Sequence, residues 1–438
     1  MNTIRPYTYP DELPRSKHCR LRANGTPLDV LETGVAGFAA FDWTGPVEIE
    51  IEAGVPLDGA TVRPLSRGIP ARVEPGRLRF RLEQPDNLCI EIPGLPELFL
   101  YANPPETGRP DPADPRVRWF AAGRIHDVGT LELGPGETLY VEAGAVVRGL
   151  IRATRADGVR ICGRGILDGG HGHFPKEGPG RLCVIEGSRQ VRVEDVILIH
   201  PHSWMLVLGD CEDVSISNLK EIGEVMSSDG IDVCGCRRVL IEGCCLRNND
   251  DCVAVKSLSY TGRPGDGRLP WDRDVEDVTV RRCTFWNAQC GNAMEVGFEL
   301  RCERVSGVLF EDIDVLCVHG HGAVFSIHNG DRARVENITW RNIRVEHHYD
   351  KLLDFRVIHS RYSRDTVRGS IQNILLEDIH IRRSAFNEGD TKSLITGWSA
   401  DSPAERITLR NLRFNGEPVT DADRLDLFTR HARDVRFA

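Results

Sequence analysis

Nowhere in this 438-residue sequence do about 18 apolar residues run together, so no segment has the length of a membrane-spanning helix. The opening residues, MNTIRPYTYPDELPRSKHCR, lack the apolar core of a secretory leader; Pro, Asp and Glu interrupt them early. A basic stripe is also missing. The 55 Lys and Arg stand against 65 Asp and Glu, and the net charge of -10 is spread along the chain. Nucleic acid and membrane surfaces are therefore not expected partners, and an anionic polymer is disfavoured. CxxC spacing is absent among the fourteen cysteines: Cys234 and Cys236 are two apart, and Cys244 and Cys245 are adjacent. Structural zinc is not expected from such spacing, and no motif calls for another metal or a cofactor. The thiols fall where a core would be, as in Val233-Cys234-Gly235-Cys236, so we expect buried reduced cysteines and a cytoplasmic setting.

Helical periodicity is nearly absent as well. Residues 1–115 carry short alternating stretches, Val47-Glu48-Ile49-Glu50-Ile51, Leu78-Arg79-Phe80-Arg81-Leu82 and Leu98-Phe99-Leu100-Tyr101, separated by Pro and Gly. They predict a small antiparallel β-sandwich. A Pro-rich run from Asn103 to Pro115 reads as a linker. From 116 to 438 the chain repeats itself. Stretches beginning at Val191, Val214, Val239, Val278, Val308, Ile338, Ile374 and Ile407 share one pattern: alternating β-branched residues, then Asp, Asn, Gly or Arg, then another apolar residue. The first spacings are 23 (214 minus 191) and 25 (239 minus 214), and later ones stretch where loops enter. A period in the twenties without helices predicts an all-β solenoid, a right-handed parallel β-helix whose turns share one core. A leucine-rich repeat would need a Leu-rich consensus that is not here, and a propeller needs longer blades.

One stretch departs from this pattern. Ser227-Ser228-Asp229-Gly230-Ile231-Asp232 is followed by Asn248-Asn249-Asp250-Asp251-Cys252-Val253-Ala254-Val255-Lys256, with separations of 21 (250 minus 229) and 22 (251 minus 229). That is close to one turn, and neighbouring turns lie about 4.8 Å apart. Three acids would then meet on one face, where they repel unless one keeps a proton. A protonated acid beside an ionised one is what glycosidic cleavage needs. Taken singly, Asp229 would cap a bend and Asn-Asn-Asp-Asp would be a solvated turn.

These two segments resemble the Asn-Thr-Asp and Asp-Asp motifs of the polygalacturonase family, glycoside hydrolase family 28, and their separation is similar. The wider chain resembles the dextranase and isopullulanase type, family 49, which also places a small β-sandwich before the helix. The entry into the helix, from Val128-Gly129-Thr130-Leu131-Glu132-Leu133 to Gly163-Arg164-Gly165-Ile166-Leu167-Asp168-Gly169, is similar to both. The resemblance implies an inverting hydrolase, with Asp250 as general acid and Asp229 and Asp251 activating water. Two departures matter. Asn292, in Gly291-Asn292-Ala293, stands where family 28 has histidine, and Val324-Phe325-Ser326 falls where it has Arg-Ile-Lys. Losing two cations argues against a uronate and for a neutral sugar, and the leading expectation is hydrolysis of α-linked neutral glycans.

Further candidates for contact with a carbohydrate substrate are Trp204, Lys256, Trp271, Asn292, Glu295, His321 and His328. Each has a plainer use: a core Trp, a structural salt bridge, an exposed turn histidine. Lys256 is placed to pair with Asp232 or Asp251. The Gly- and Pro-rich insertion from Leu258 to Asp274 is expected to rim the site. A polysaccharide lyase, a fructan-type transferase and a non-catalytic carbohydrate-binding solenoid share the fold and stay open here. So does assembly into a homo-oligomer.

Overall fold

A computed structural model describes residues 3–171, 180–259, 267–383 and 392–438. The chain divides into two compact units, one of residues 1–128, 138–148 and 161–168, the other of 129–137, 149–160 and 169–438.

The first unit contains two sheets over a common core. One runs Ile4–Pro6, Gly37–Trp43, Leu98–Asn103, Asp86–Glu91, Thr61–Arg63, with Leu31–Glu32 also on Gly37–Trp43; the other runs Thr26–Leu28, Cys19–Ala23, Val47–Ala53, Arg77–Leu82, Arg72–Glu74. Alternation explains the second sheet: Val47, Ile49 and Ile51 are buried while Glu48 points out. Phe41, Trp43, Ile49, Ile51, Leu78, Phe80, Leu88 and Leu100 pack into one cluster, giving the expected sandwich. One pairing differs from expectation. Leu98–Asn103 lies parallel to Gly37–Trp43. A long connection separates these two strands in sequence, and only a long connection permits parallel pairing. Residues 104–116 carry no strand.

From Val117 to Phe437 the strands join a single 29-stranded, almost wholly parallel sheet. It coils as a right-handed β-helix, the hand that parallel crossovers take. All eight repeat copies stack residue on residue: Val191 on Val214, Val239, Val278, Val308, Ile338, Ile374 and Ile407. Every one of these side chains is buried. Their recurring polar residue has a backbone reason. Asp195, Asn218, Asp312, Asn342, Asp378 and Asn411 all have φ between 49° and 72°, the left-handed corner that Asn and Asp tolerate best. Several corners also bond to the next turn, as Asn218 Nδ2 does to Asp195 Oδ1 at 2.7 Å and Asn411 Nδ2 to Asp378 Oδ1 at 2.6 Å.

A second column of strands positions the site: Leu206–Gly209, Ile231–Cys234, Val253–Ser257, Met294–Leu300, Ala323–Asn329 and Lys351–Val357, each parallel to the next.

Candidate active site

Ile231 pairs with Val253, so residues two before each strand meet at its entry. Asp229 and Asp251 are those residues, and the Gly230 N–H donates to Asp251 O at 2.8 Å. One carboxylate oxygen each from Asp229, Asp250 and Asp251 lies within 4.8 Å of the other two. All three line a cavity of about 1030 Å³ that also receives Arg181, Trp204, Lys256, Asn292, Phe298, Glu299, His321, His328 and Arg356.

The flanking sequence builds this convergence. A Cβ on Gly230 would lie 2.4 Å from Cys252 O and 2.6 Å from Glu221 Oε2, so the residue after Asp229 must be glycine. At Gly291, φ is +72° and a Cβ would stand 2.3 Å from Asp250 Oδ1 and 2.4 Å from Asp251 N. Asn249 fastens the preceding turn through Nδ2 to Glu224 O at 2.7 Å. Asn292, which replaces the histidine, takes hold of Asp251: its backbone N–H donates to Oδ1 at 2.6 Å and its Nδ2 at 2.9 Å, while its own Oδ1 accepts from Ala323 N.

Crowded acids in a buried site hold protons. Burial first, and Asp229 second, push Asp250 up to about 7. Burial also raises Asp251 well above the carboxylate range, helped by Asp250, Glu295 and Asp229. Lys256 supplies the counter-charge. Its Nζ donates to Asp229 Oδ2 at 2.6 Å and to Asp232 Oδ1 at 2.7 Å. Burial pulls its pKa down, but these two carboxylates outweigh it and keep the ammonium charged. The same three oxygens have a spacing that suits a divalent cation, with the ammonium of Lys256 already seated against one of them.

The other candidates divide. Trp204 lines the cavity half-buried, with Lys256 Nζ 3.9 Å and Arg181 Cζ 3.8 Å from its ring centroid. His321 is exposed on the cavity wall, and His328 lines it from a buried position. Two assignments need correction. Trp271 is wholly buried; it donates to Glu186 Oε2 at 3.0 Å and packs on Val184, Val207 and Cys234, so it offers no face to a sugar. The expected rim falls partly on residues 260–266, outside the described residues. Glu295 is also fully buried, and its oxygens hold Ser326 and His328 rather than facing the cavity.

Sequence reasoning missed Arg181, Phe298, Asp354, Arg356 and Tyr362, all of which line the cavity. A signal existed for two of them. Glu295, Ser326 and Asp354 stack in register, as do Gly297, His328 and Arg356, so polar residues recur at fixed offsets inside otherwise apolar strands.

Comparison with known proteins meets the site here. Residues 145–315, which contain all three acids, match the family model for glycosyl hydrolases family 28. Over 189 residues the chain is 25% identical to a probable rhamnogalacturonase A of Aspergillus niger, covering 38% of this chain and 40% of that one. Over 123 residues it is 36% identical to a polygalacturonase of Chamaecyparis obtusa, covering 24% of each. The chain thus spans less than half the length of these relatives. Among solved structures, Dex49A from Penicillium minioluteum superposes with a TM-score of 0.72 over 99% of this chain and 96% of that one, at 12% identity. The family 28 exopolygalacturonase of Yersinia enterocolitica gives 0.55 over 89% and 95%, also at 12%. At these identities the likeness is one of fold.

Proposed function

We propose that this chain is a glycoside hydrolase that cleaves α-linked neutral glycans with inversion. Asp250 protonates the leaving glycosidic oxygen, and Asp229 and Asp251 activate the attacking water, Asp251 holding it and Asp229 taking its proton. The carrying observation is three carboxylates with oxygens within 4.8 Å, among which Asp250 is pushed up to about 7. An acid poised there can give its proton near neutrality. Lys256 donates to Asp229 beside it. Inverting pairs commonly leave about 6.5–9.5 Å between carboxyls, and these oxygens lie closer. Two hydrogen bonds of about 2.8 Å each still reach across such a gap, so one water fits between a pair.

The neutral class is supported at the positions of the missing cations. Val324 and Ser326 are fully buried and present no charge to the cavity. A lyase would require a free base; Lys256, the cation among the acids, is tied to two carboxylates and held protonated. None of the fourteen cysteines is in a disulfide, which suits a reducing compartment such as the cytoplasm.

Asp250→Asn should lower turnover of the cleaved glycan by at least about 10²-fold while leaving binding intact. Proton NMR of the first-released sugar should show the inverted anomer. Full activity in Asp250→Asn, or net retention, would overturn the assignment.

A further inference from the structure

We propose that Phe298 is a stacking platform for a neutral pyranose ring bound beside the carboxylates, held in place by a buried, charge-paired support. This rests on the glycosidase reading above and names the ring that the site grips. Phe298 lies on Met294–Leu300, the strand directly after the one that carries Lys256, and its half-buried ring lines the cavity.

The ring is fixed from behind. His328 stacks on it with centroids 4.4 Å apart and planes 2° apart. Both nitrogens of His328 are engaged, Nδ1 with Glu295 at 3.0 Å and Nε2 with Asp354 Oδ2 at 3.1 Å. Burial works against the charged imidazole, but the two carboxylates prevail and push it to about 9. An imidazolium against an aromatic face is an attractive pairing as well as a steric one. The support continues outward. Ser326 Oγ lies within hydrogen-bond reach of Glu295 and of Met294 O and donates its one proton between them, and Arg356 Nη2 donates to Asp354 Oδ2 at 2.8 Å. Glu295, Ser326 and Asp354 are fully buried.

Its charge pairing bears on what can bind. His328 faces Glu295 and Asp354, and Arg356 faces Asp354, so each cation of the support already has a carboxylate partner. Neither of these two cations is spare for a substrate carboxylate. The ring surface is extended by Tyr362, which is 36% exposed and lies 5.5 Å from Phe298 at 43°, with Arg361 over it. The C–H face of a neutral sugar fits that surface.

The test uses maltotriose, isomaltotriose, nigerotriose and α-1,4-linked galactotriose as neutral probes and trigalacturonate as the charged one. Phe298→Ala should lower kcat/KM on the cleaved trisaccharide by at least about tenfold, mainly through KM, with the pH profile unmoved. Phe298→Tyr should retain activity. Phe298→Leu keeps the apolar volume without the ring and should behave like the alanine variant. Calorimetry on Asp250→Asn should show the same weakening when Phe298→Ala is added. His328→Gln should loosen KM in parallel. Unchanged KM in both ringless variants, with turnover intact, would overturn the platform and leave the glycosidase reading standing. Tighter binding of trigalacturonate than of any neutral probe would overturn the neutral ligand. Absence of both turnover and binding for every neutral probe would overturn the reading and the platform together.

Discussion

Two ladders of charge run along the same solenoid, and they obey opposite rules. On the outer face, Glu311, Arg341, Glu377 and Arg410 stack turn upon turn with alternating sign, at 3.5, 2.8 and 2.8 Å. In the cavity, Asp229 and Asp251 stack carboxyl on carboxyl, and Asp250 joins them. Alternation is what a ladder adopts when nothing but stability shapes it. Like charges brought together in a buried place cost stability, and Lys256 offsets only part of that cost. The contrast therefore marks where the fold gives up stability for chemistry.

The hardest blow to this comparison is removal of the counter-charge. Lys256→Met would leave Asp229 and Asp232 buried without their cation. Loss of one partner of a buried ion group costs about 3–5 kcal/mol, and thermal unfolding should record a correspondingly lower Tm. A Tm unchanged from wild type would mean that the cavity acids are solvated much like the outer ladder.

A charge-removing change among the acids should act in the opposite sense. The folded chain holds Asp250 at about 7, above its ordinary 3.8. Between those values the folded state keeps a proton that the unfolded chain has released, so stability falls as pH rises through that window. Asp250→Asn removes this penalty. At pH 8 it should be more stable than wild type by about one to a few kcal/mol, with the gap closing as pH drops toward 4. Melting curves at both pH values check it. Under the proposed role of Asp250 the same proton sets the basic limb: activity should decline as pH rises through about 7.

Removing an orienting group should do less. Asn292→Ala deletes the Nδ2 bond to Asp251 and the Oδ1 acceptor for Ala323, while the backbone N–H bond to Asp251 survives. One lost bond to a charged group amounts to about 1.5–3 kcal/mol, so turnover should drop about ten- to a hundredfold with KM little changed. A fall in affinity without a fall in turnover would assign Asn292 to substrate rather than to Asp251.

The architecture was legible because a β-helix writes its period into the sequence. The copies at Val191 through Ile407 are in register, and their Asp and Asn corners signal the left-handed bend. Convergence of the acids was legible for the same reason, since 21 or 22 residues is one turn at that point. The far side of the cavity was not. Between Val253 and Met294 the turn takes 41 residues (294 minus 253), and loops of unequal length break the count. Trp271 misled because an aromatic in a Gly- and Pro-rich insertion looks like a rim residue. Only the structure shows that its indole is drawn inward, with Glu186 accepting from its N–H and from the backbone of Arg268 and Leu269. Glu295 misled differently: it lies on a rung after the catalytic turn, but Ser326 and His328 hold its oxygens.

The smallest effect should come from the outer ladder itself. Arg341 touches Glu311 at 3.5 Å and Glu377 at 2.8 Å, and its side chain is 43% exposed. Water and salt screen such pairs, and Glu377 keeps Arg410 as an alternative partner. Arg341→Ala should therefore cost no more than about 1 kcal/mol and leave kcat/KM unchanged, because the ladder lies on a column of strands separate from the one that carries the acids. Measured in 0.5 M salt, even that cost should shrink. A larger loss, or one insensitive to salt, would show that the outer ladder is structurally committed in the way the cavity is, and the contrast between the two faces would lose its meaning.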